Sequence, residues 1–149
     1  FCLSLTHGAE LPCLAASKRV LQIYKEEPVI EGLWNRGQRL YDGVSQIVEE
    51  LKLSPYFGLA GRPCNLVYFT RDAQGAPSQA FRTLFLQEII SRGILAPSFV
   101  VSYAHSEADI DRTVEVVSQA LAVYARALDR GIDQYLESRP VKPVFRKRG

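Results

Sequence analysis

The sequence predicts an α/β chain of the α+β kind, in which helices cover one face of a small sheet. Two observations predict this fold class. Apolar residues recur every three or four positions in four segments, and two short runs of β-branched and aromatic residues lie among the later ones, which gives the order helix, helix, strand, helix, strand, helix. The 149 residues, 47% of them hydrophobic, are enough for one compact domain.

The first two predicted helices occupy the first third of the chain. Residues 10–25 are rich in Ala and Leu and contain no Gly, Pro12 falls in the first turn where proline is tolerated, and Pro28 ends the helix. Residues 29–51 predict a long amphipathic helix, weakened slightly by two internal glycines. Its apolar positions are Ile30, Leu33, Trp34, Leu40, Tyr41, Val44, Ile47, Val48 and Leu51.

The predicted strands lie on either side of the third helix. A short strand is expected near residues 56–59, and the run CNLVYFT (64–70) has the composition of a buried strand. The run SFVVSYA (98–104) predicts a further strand. Turn-rich segments precede and follow the 64–70 run, so we expect these strands to form one small sheet.

Two helices complete the predicted fold. Residues 78–92 carry apolar side chains on one side, with Pro77 near the start and Gly93 at the position of a left-handed C-cap. The last helix begins at Ser106, and Asp109 three residues later is typical of a capping box. Its apolar residues, spaced by 4, 3, 4, 3 and 4, are Ile110, Val114, Val117, Leu121, Tyr124 and Leu128.

Charge and composition narrow the function classes. The net charge is +2, and residues 139–149 hold five basic groups and no acid, so the first 138 residues carry 2 − 5 = −3. A body of this charge is not typical of a nucleic-acid partner, and the basic tail is interpreted as a solvated terminus. No apolar run approaches the ~18 residues of a membrane span, so no membrane partner is expected.

The cysteines and the opening residues suggest a cytoplasmic protein. Cys2, Cys13 and Cys64 are odd in number and widely spaced, a pattern that indicates neither a disulfide framework nor a zinc site. A secretory leader needs a basic start and an unbroken apolar core, which the opening FCLSLTHGAE lacks. The chain contains no methionine, which suggests a processed product or a piece of a longer protein.

Few residues suggest catalysis on their own. Ser102 and His105 are close in sequence at a predicted strand end, which would suit a hydrolase, although a helix-start role explains them as well. A metal site built from Cys2, His7 and His105 has no spacing signature, and no metal is expected. Thr6 stands beside a glycine just ahead of a helix, where its hydroxyl could either cap that helix or bind a phosphate.

Five stretches, in this order, resemble the C-terminal part of class III pyridoxal-phosphate-dependent aminotransferases of the glutamate-1-semialdehyde aminomutase type. They span nearly all 149 residues, and the most specific part is RGILAPSFVVSYAHSEADID within the stretch PSQAFRTLFLQEIISRGILAPSFVVSYAHSEADIDRTVE. The others are LTHGAELPCLAAS, VLQIYKEEPVIEGLWNRGQRL, GLAGRPCNLVYFTRD and KPVFRK. The resemblance implies a small, mainly antiparallel sheet covered by helices, the C-terminal part of a fold-type I enzyme.

The resemblance implies a role for Thr6 and a division of the chain. In that family a matching threonine binds the phosphate of the neighbouring subunit's pyridoxal 5'-phosphate, so a homodimer is implied. Residues 1–27 would end the large coenzyme domain, and 28–149 would form the small C-terminal domain. The intact enzyme would transfer an amino group on a small amino or keto substrate. Leu3, Leu5, Leu11 and Leu14 would then form an exposed apolar patch in this chain alone.

The sequence also departs from the family. His7, Ala9 and Glu10 stand where many members have Phe, Gly and Asn, and SYAHSE lacks the arginine with which many transaminases hold a substrate carboxylate. The Schiff-base lysine, the aspartate on the pyridine nitrogen and the stacked aromatic would all precede residue 1, so this chain alone is expected to contain no catalytic residue and to be inactive. The rival interpretation is a free-standing α+β binding or interaction domain without catalysis.

Overall fold

A computed structural model describes residues 10–142, which form four long helices and a small sheet. The helices are α1 (Leu11–Glu26), α2 (Val29–Glu50), α3 (Gln79–Ser91) and α4 (Glu107–Arg130). The strands are β1 (Phe57–Arg62), β2 (Asn65–Thr70) and β3 (Phe99–Val100), and a short 3₁₀ turn follows at Ile132–Gln134. The predicted element order and fold class are confirmed.

The sheet has the order β1-β2-β3, and both pairings are antiparallel. Along β2 the side chains alternate between buried and exposed, so one face packs against the helices and the other does not. The prediction that helices cover one face is therefore confirmed, whereas the prediction that 64–70 is a buried strand is wrong for half of its side chains. Val67 and Phe69 are 51% and 40% exposed.

Two strands differ in length from the sequence prediction. The strand expected near 56–59 continues to Arg62, because the β1–β2 pairing runs through to Arg62 opposite Asn65. The strand expected over 98–104 is only two residues long. The Val101 N–H still donates to the Cys64 carbonyl at 3.1 Å, but the chain then turns, and the Ala104 N–H donates to the Ser102 hydroxyl at 3.2 Å.

An aromatic core lies between the sheet and helices α3 and α4. Phe85 on α3 is fully buried, and its ring centroid lies 4.9 Å from that of Phe57 and 4.9 Å from that of Tyr68. Tyr124 on α4 lies edge-on to Phe57, with centroids 6.0 Å apart. The hydrophobic effect of these large rings therefore joins the sheet to both helices.

The Tyr124 hydroxyl connects α4 to the residue before β1 and to the residue after β2, at the open end of the β1–β2 hairpin. It donates to the Arg71 carbonyl at 2.6 Å, lies 3.2 Å from the Tyr56 carbonyl, and accepts from the Arg71 N–H at 3.0 Å. Burial raises the pKa of the Tyr124 hydroxyl, so it remains a protonated donor at physiological pH. The hairpin is thus fixed to the helix by hydrogen bonds between the Tyr124 side chain and the main chain as well as by packing.

The capping box predicted at the start of α4 is present. The Ser106 hydroxyl accepts from the Asp109 N–H at 3.2 Å, and the Asp109 carboxylate accepts from the Ser106 N–H at 2.7 Å. The same carboxylate accepts from the Ser106 hydroxyl at 2.7 Å, and these hydrogen bonds hold the Asp109 pKa below its usual value. Both residues are needed for this geometry, as their spacing indicated.

The capping box predicts acid sensitivity. Because the folded state lowers the Asp109 pKa, the resulting stability is present above the unfolded-state value of about 3.9 and is lost as pH falls through the lower folded value. We expect Asp109→Asn to lower the free energy of unfolding at pH 7 and to approach wild type as pH falls below the lowered Asp109 pKa. Urea denaturation across pH measures both curves, whereas Ser106→Ala should remain less stable than wild type in acid, because the Ser106 hydroxyl accepts from the Asp109 N–H whether or not the carboxyl is ionised. A difference between wild type and Asp109→Asn that is constant with pH would contradict the assignment.

Candidate functional site

Helix α1 stands apart from the core. None of its residues is buried, and its last turn connects to α2 through an extended Glu27 and Pro28. Leu11 and Leu21 are 80% and 63% exposed. The other large apolar side chains exposed on α1 are Leu14, Val20 and Tyr24. The exposed apolar patch predicted for this end of the chain is therefore confirmed at Leu11 and Leu14, whereas Leu3 and Leu5 lie outside the described residues.

The predicted phosphate-binding residue, Thr6, also lies outside the described residues. The helix that follows it begins at Leu11, with Glu10 as the N-cap and Pro12 in the first turn. Glu10 makes no side-chain cap hydrogen bond to this helix. The start of α1 is the positive end of a helix dipole, which favours an anion, although the Glu10 carboxylate adds a negative charge there.

An apolar groove runs between α1, the start of α2 and the loop that follows β3. Its volume is ≈ 590 Å³. The side chains that line it come from both helices and from the loop, and they are Val20, Ile23, Tyr24, Val29, Leu33 and residues 101–104. The groove is thus open to a partner or ligand, and the exposed side of α1 forms one wall.

A smaller, more polar cleft lies on the other side of Tyr103. Its volume is ≈ 250 Å³, and it is lined by Pro28, Glu31, Gly32, Asn35, Arg36 and Tyr103. The Arg36 guanidinium carbon lies 5.2 Å from the centre of the Tyr103 ring. Sequence reasoning missed this pair, because Arg36 is on α2 and Tyr103 is in the loop after β3, and no local pattern links them.

Ser102 and His105 do not form a nucleophile and base pair. The His105 Nδ1 atom accepts from the Ser102 backbone N–H at 3.1 Å, and the Ser102 hydroxyl accepts from the Ala104 N–H. A serine hydrolase needs the hydroxyl itself to donate to a histidine nitrogen. Both side chains are exposed in a tight turn, so the hydrolase interpretation is wrong and the residues shape the entry to α4.

Within residues 10–142 the lysines lie on the surface, and the side chains that could bind a metal do not form a site. Lys18, Lys25, Lys52 and Lys142 are all exposed, and Lys147 lies outside the described residues. In this range no group of three His, Cys, Asp or Glu side chains could hold a metal ion. None of the described helices combines the length and hydrophobicity needed to cross a bilayer.

Sequence comparison places this chain beside one group of enzymes. Glutamate-1-semialdehyde 2,1-aminomutase of Desulfitobacterium hafniense (strain DCB-2) is 31% identical over 120 residues, which cover 72% of this chain and 27% of that enzyme. The aminomutase of Archaeoglobus fulgidus is 29% identical over 119 residues, with 72% and 28% covered. This chain therefore spans just over a quarter of the length of these relatives, and no protein-family model matches it.

Structure comparison supports the same fold. The pyridoxal-phosphate-bound structure of the Sphingopyxis sp. MTA144 FumI protein matches with a TM-score of 0.64 over 78% of this chain and 28% of that protein. The two sequences are 22% identical over the match. At 22% identity the likeness establishes the fold, which is a helix-covered antiparallel sheet found within a fold-type I protein. The predicted resemblance is confirmed.

Proposed function

We propose that this chain belongs to a pyridoxal-phosphate-dependent enzyme. The premise is that it resembles part of the glutamate-1-semialdehyde aminomutases in sequence and part of a pyridoxal-phosphate-bound protein in fold. That enzyme would transfer an amino group on a small amino or keto substrate. The observation that carries the proposal is the agreement of the two comparisons, which cover 72% and 78% of this chain. The coenzyme, when bound, supplies the electron sink for the chemistry.

The exposed face of α1 supports a division of the chain within such an enzyme. Residues 28–149 would be the small C-terminal domain, since the described core is built from α2, the sheet, α3 and α4. Residues 1–27 would end the large coenzyme domain. In that arrangement the rest of the enzyme would cover Leu11, Leu14 and Leu21, which otherwise remain in water at a cost in free energy.

Thr6 is the residue of this chain that we assign to the coenzyme. The assignment rests on the family resemblance and on the position of Thr6 shortly before α1, whose N-terminal dipole end favours a phosphate. The Thr6 hydroxyl would donate a further hydrogen bond to that phosphate across a homodimer interface. The remaining residues would shape the substrate side of the site and exclude water. We expect a cytoplasmic location.

The test is a Thr6→Val variant of a longer protein that contains this chain and a Schiff-base lysine before residue 1. A hydrogen bond to a charged group contributes about 1.5–3 kcal/mol, so we expect roughly tenfold to hundredfold weaker coenzyme binding. Equilibrium dialysis of the coenzyme measures the change. Thr6→Ser is the matched control, because it keeps the donor and should keep most of the affinity.

Two outcomes would count against the proposal. Coenzyme binding by Thr6→Val as tight as wild type, in an intact dimer, would remove the phosphate role of Thr6. A stoichiometric, borohydride-trapped coenzyme on one lysine of this 149-residue chain would contradict its expected inactivity alone. If no coenzyme domain is encoded before residue 1, the free-standing binding domain becomes the better interpretation.

A further inference from the structure

We propose that the cleft between the start of α2 and Tyr103 binds a carboxylate through the guanidinium of Arg36. The ligand class is a small organic monocarboxylate, and the site consists of Arg36, Tyr103, Gly32 and Asn35. This inference goes beyond the proposed function and does not depend on it, because every residue that carries it lies in the described part of the chain.

One guanidinium nitrogen of Arg36 has no hydrogen-bond acceptor in the described part of the chain. This nitrogen is Nη1, and it is buried. Other arginines of this fold are paired: Arg39 donates to Asp111 at 2.7 Å, and Arg92 donates to Glu88 at 2.8 Å. A buried donor without an acceptor costs free energy, so the Arg36 site is complete only when an acceptor joins it.

The Tyr103 ring orients the Arg36 guanidinium. Its carbon lies 5.2 Å from the Tyr103 ring centre, a favourable cation–π distance. A Cβ atom at Gly32 would lie 3.0 Å from Arg36 Nη1 and 3.0 Å from the Tyr103 ring, so the absence of a side chain there makes room for both groups. A donor that is already oriented loses less entropy on binding.

The size of the cleft and the charge of Glu31 favour a monocarboxylate over a phosphate. The cleft is small, ≈ 250 Å³, and the acidic residue Glu31 is among those that line it. A dianion such as phosphate would meet stronger repulsion from Glu31 than a monocarboxylate would. The planar guanidinium suits the two oxygens of a carboxylate. Tyr103 also lines the apolar groove next to α1, so a short alkyl chain on the ligand can contact that groove.

The experiment titrates the 149-residue chain with sodium butyrate and follows the Arg36 Nε–H signal by ¹⁵N NMR. Sodium chloride at equal ionic strength and neutral butyramide are the ligand controls. We expect a saturable shift with butyrate alone. Arg36→Gln should weaken butyrate binding roughly tenfold or more, because the charge-assisted pair is lost. Glu31→Gln should tighten butyrate binding up to about fivefold, because a repelling carboxylate is removed.

Matched variants make the result interpretable. Arg39→Gln removes an exposed arginine of the same helix that is already paired, and it should leave butyrate affinity unchanged. Arg36→Gln has no Arg36 signal, so butyrate binding to this variant is followed through backbone amide signals near Tyr103. Circular dichroism melting first confirms that the variant folds. Arg36→Lys provides a second variant that keeps the charge. Equal butyrate affinity in wild type and Arg36→Gln, or equal shifts with chloride, would overturn the proposal.

A longer protein containing this chain distinguishes the source of the carboxylate. If butyrate binds there as well, the ligand is a free acid. If the Arg36 signal is already shifted and butyrate no longer binds, an Asp or Glu side chain of the remaining protein occupies the cleft. Both results support a carboxylate at Arg36, whereas an unshifted signal that does not respond to butyrate contradicts it.

Discussion

Replacing Phe85 by alanine is expected to lower the free energy of unfolding by about 3–5 kcal/mol. Phe85 is fully buried, and its ring packs against those of Phe57, Tyr68 and Phe99, which belong to all three strands. Alanine would leave a cavity at the junction of α3 and the sheet. Since domains of this size are stable by only about 5–15 kcal/mol, the variant would lose a large share of its stability.

Urea denaturation followed by circular dichroism measures this effect, as a lower midpoint with an unchanged slope. Phe69→Ala is the matched control, because the same chemical change is made on the open face of β2, where the side chain is 40% exposed. We expect the control to cost less than about 1 kcal/mol. Equal losses in the two variants would mean that the core is not organised around Phe85.

Replacing Gly37 by alanine is expected to destabilise the fold by about 2 kcal/mol or more, as the difference between an overpacking cost and a smaller gain in helix propensity. A Cβ atom at this position would lie 2.1 Å from the Pro63 carbonyl oxygen and 2.3 Å from its carbon. Main chain cannot rotate away as a side chain can, so α2 and the β1–β2 turn would have to separate, and such overpacking costs about 1–3 kcal/mol or more. The better helix propensity of alanine, about 1 kcal/mol, offsets only part of this.

Gly43→Ala provides the comparison on the same helix. There the added Cβ would meet the Val114 side chain at 2.9 Å, and that side chain belongs to a partly buried residue that can adjust. We expect a change within about 1 kcal/mol of wild type, measured by the same urea titration. A Gly37→Ala variant as stable as Gly43→Ala would show that α2 and the turn are not in close contact.

Local sequence patterns predicted the helices well. The spacing of apolar residues placed α2 and α4 almost to the residue, and the Ser106 and Asp109 pair placed the start of α4, because a capping box is a short-range interaction. The left-handed conformation expected at Gly93 is present, with φ +88°. These features depend on neighbours within one or two turns, so the sequence alone specifies them.

The features that the sequence did not predict depend on distant contacts. β1 reaches Arg62 through Gly61, where a φ of +108° and an Asn65 carbonyl oxygen 2.7 Å from the place of a Cβ atom require a glycine. The end of β3 is set by hydrogen bonds within the following turn. Of the candidate sites, Thr6 came from family resemblance, whereas the Arg36 cleft needs α2 and the loop after β3 to meet in space.

The hydrogen bonds of the Tyr124 hydroxyl affect how the molecule opens. An isolated two-stranded hairpin is only marginally stable in water, and the β1–β2 hairpin would be expected to fray. Here, separation of the hairpin from α4 would remove the hydroxyl from which the Arg71 carbonyl accepts, while the Arg71 N–H would keep its bond to the Tyr56 carbonyl at 2.8 Å. We therefore expect the hairpin, although far from α4 along the chain, to open less readily than an unattached hairpin would.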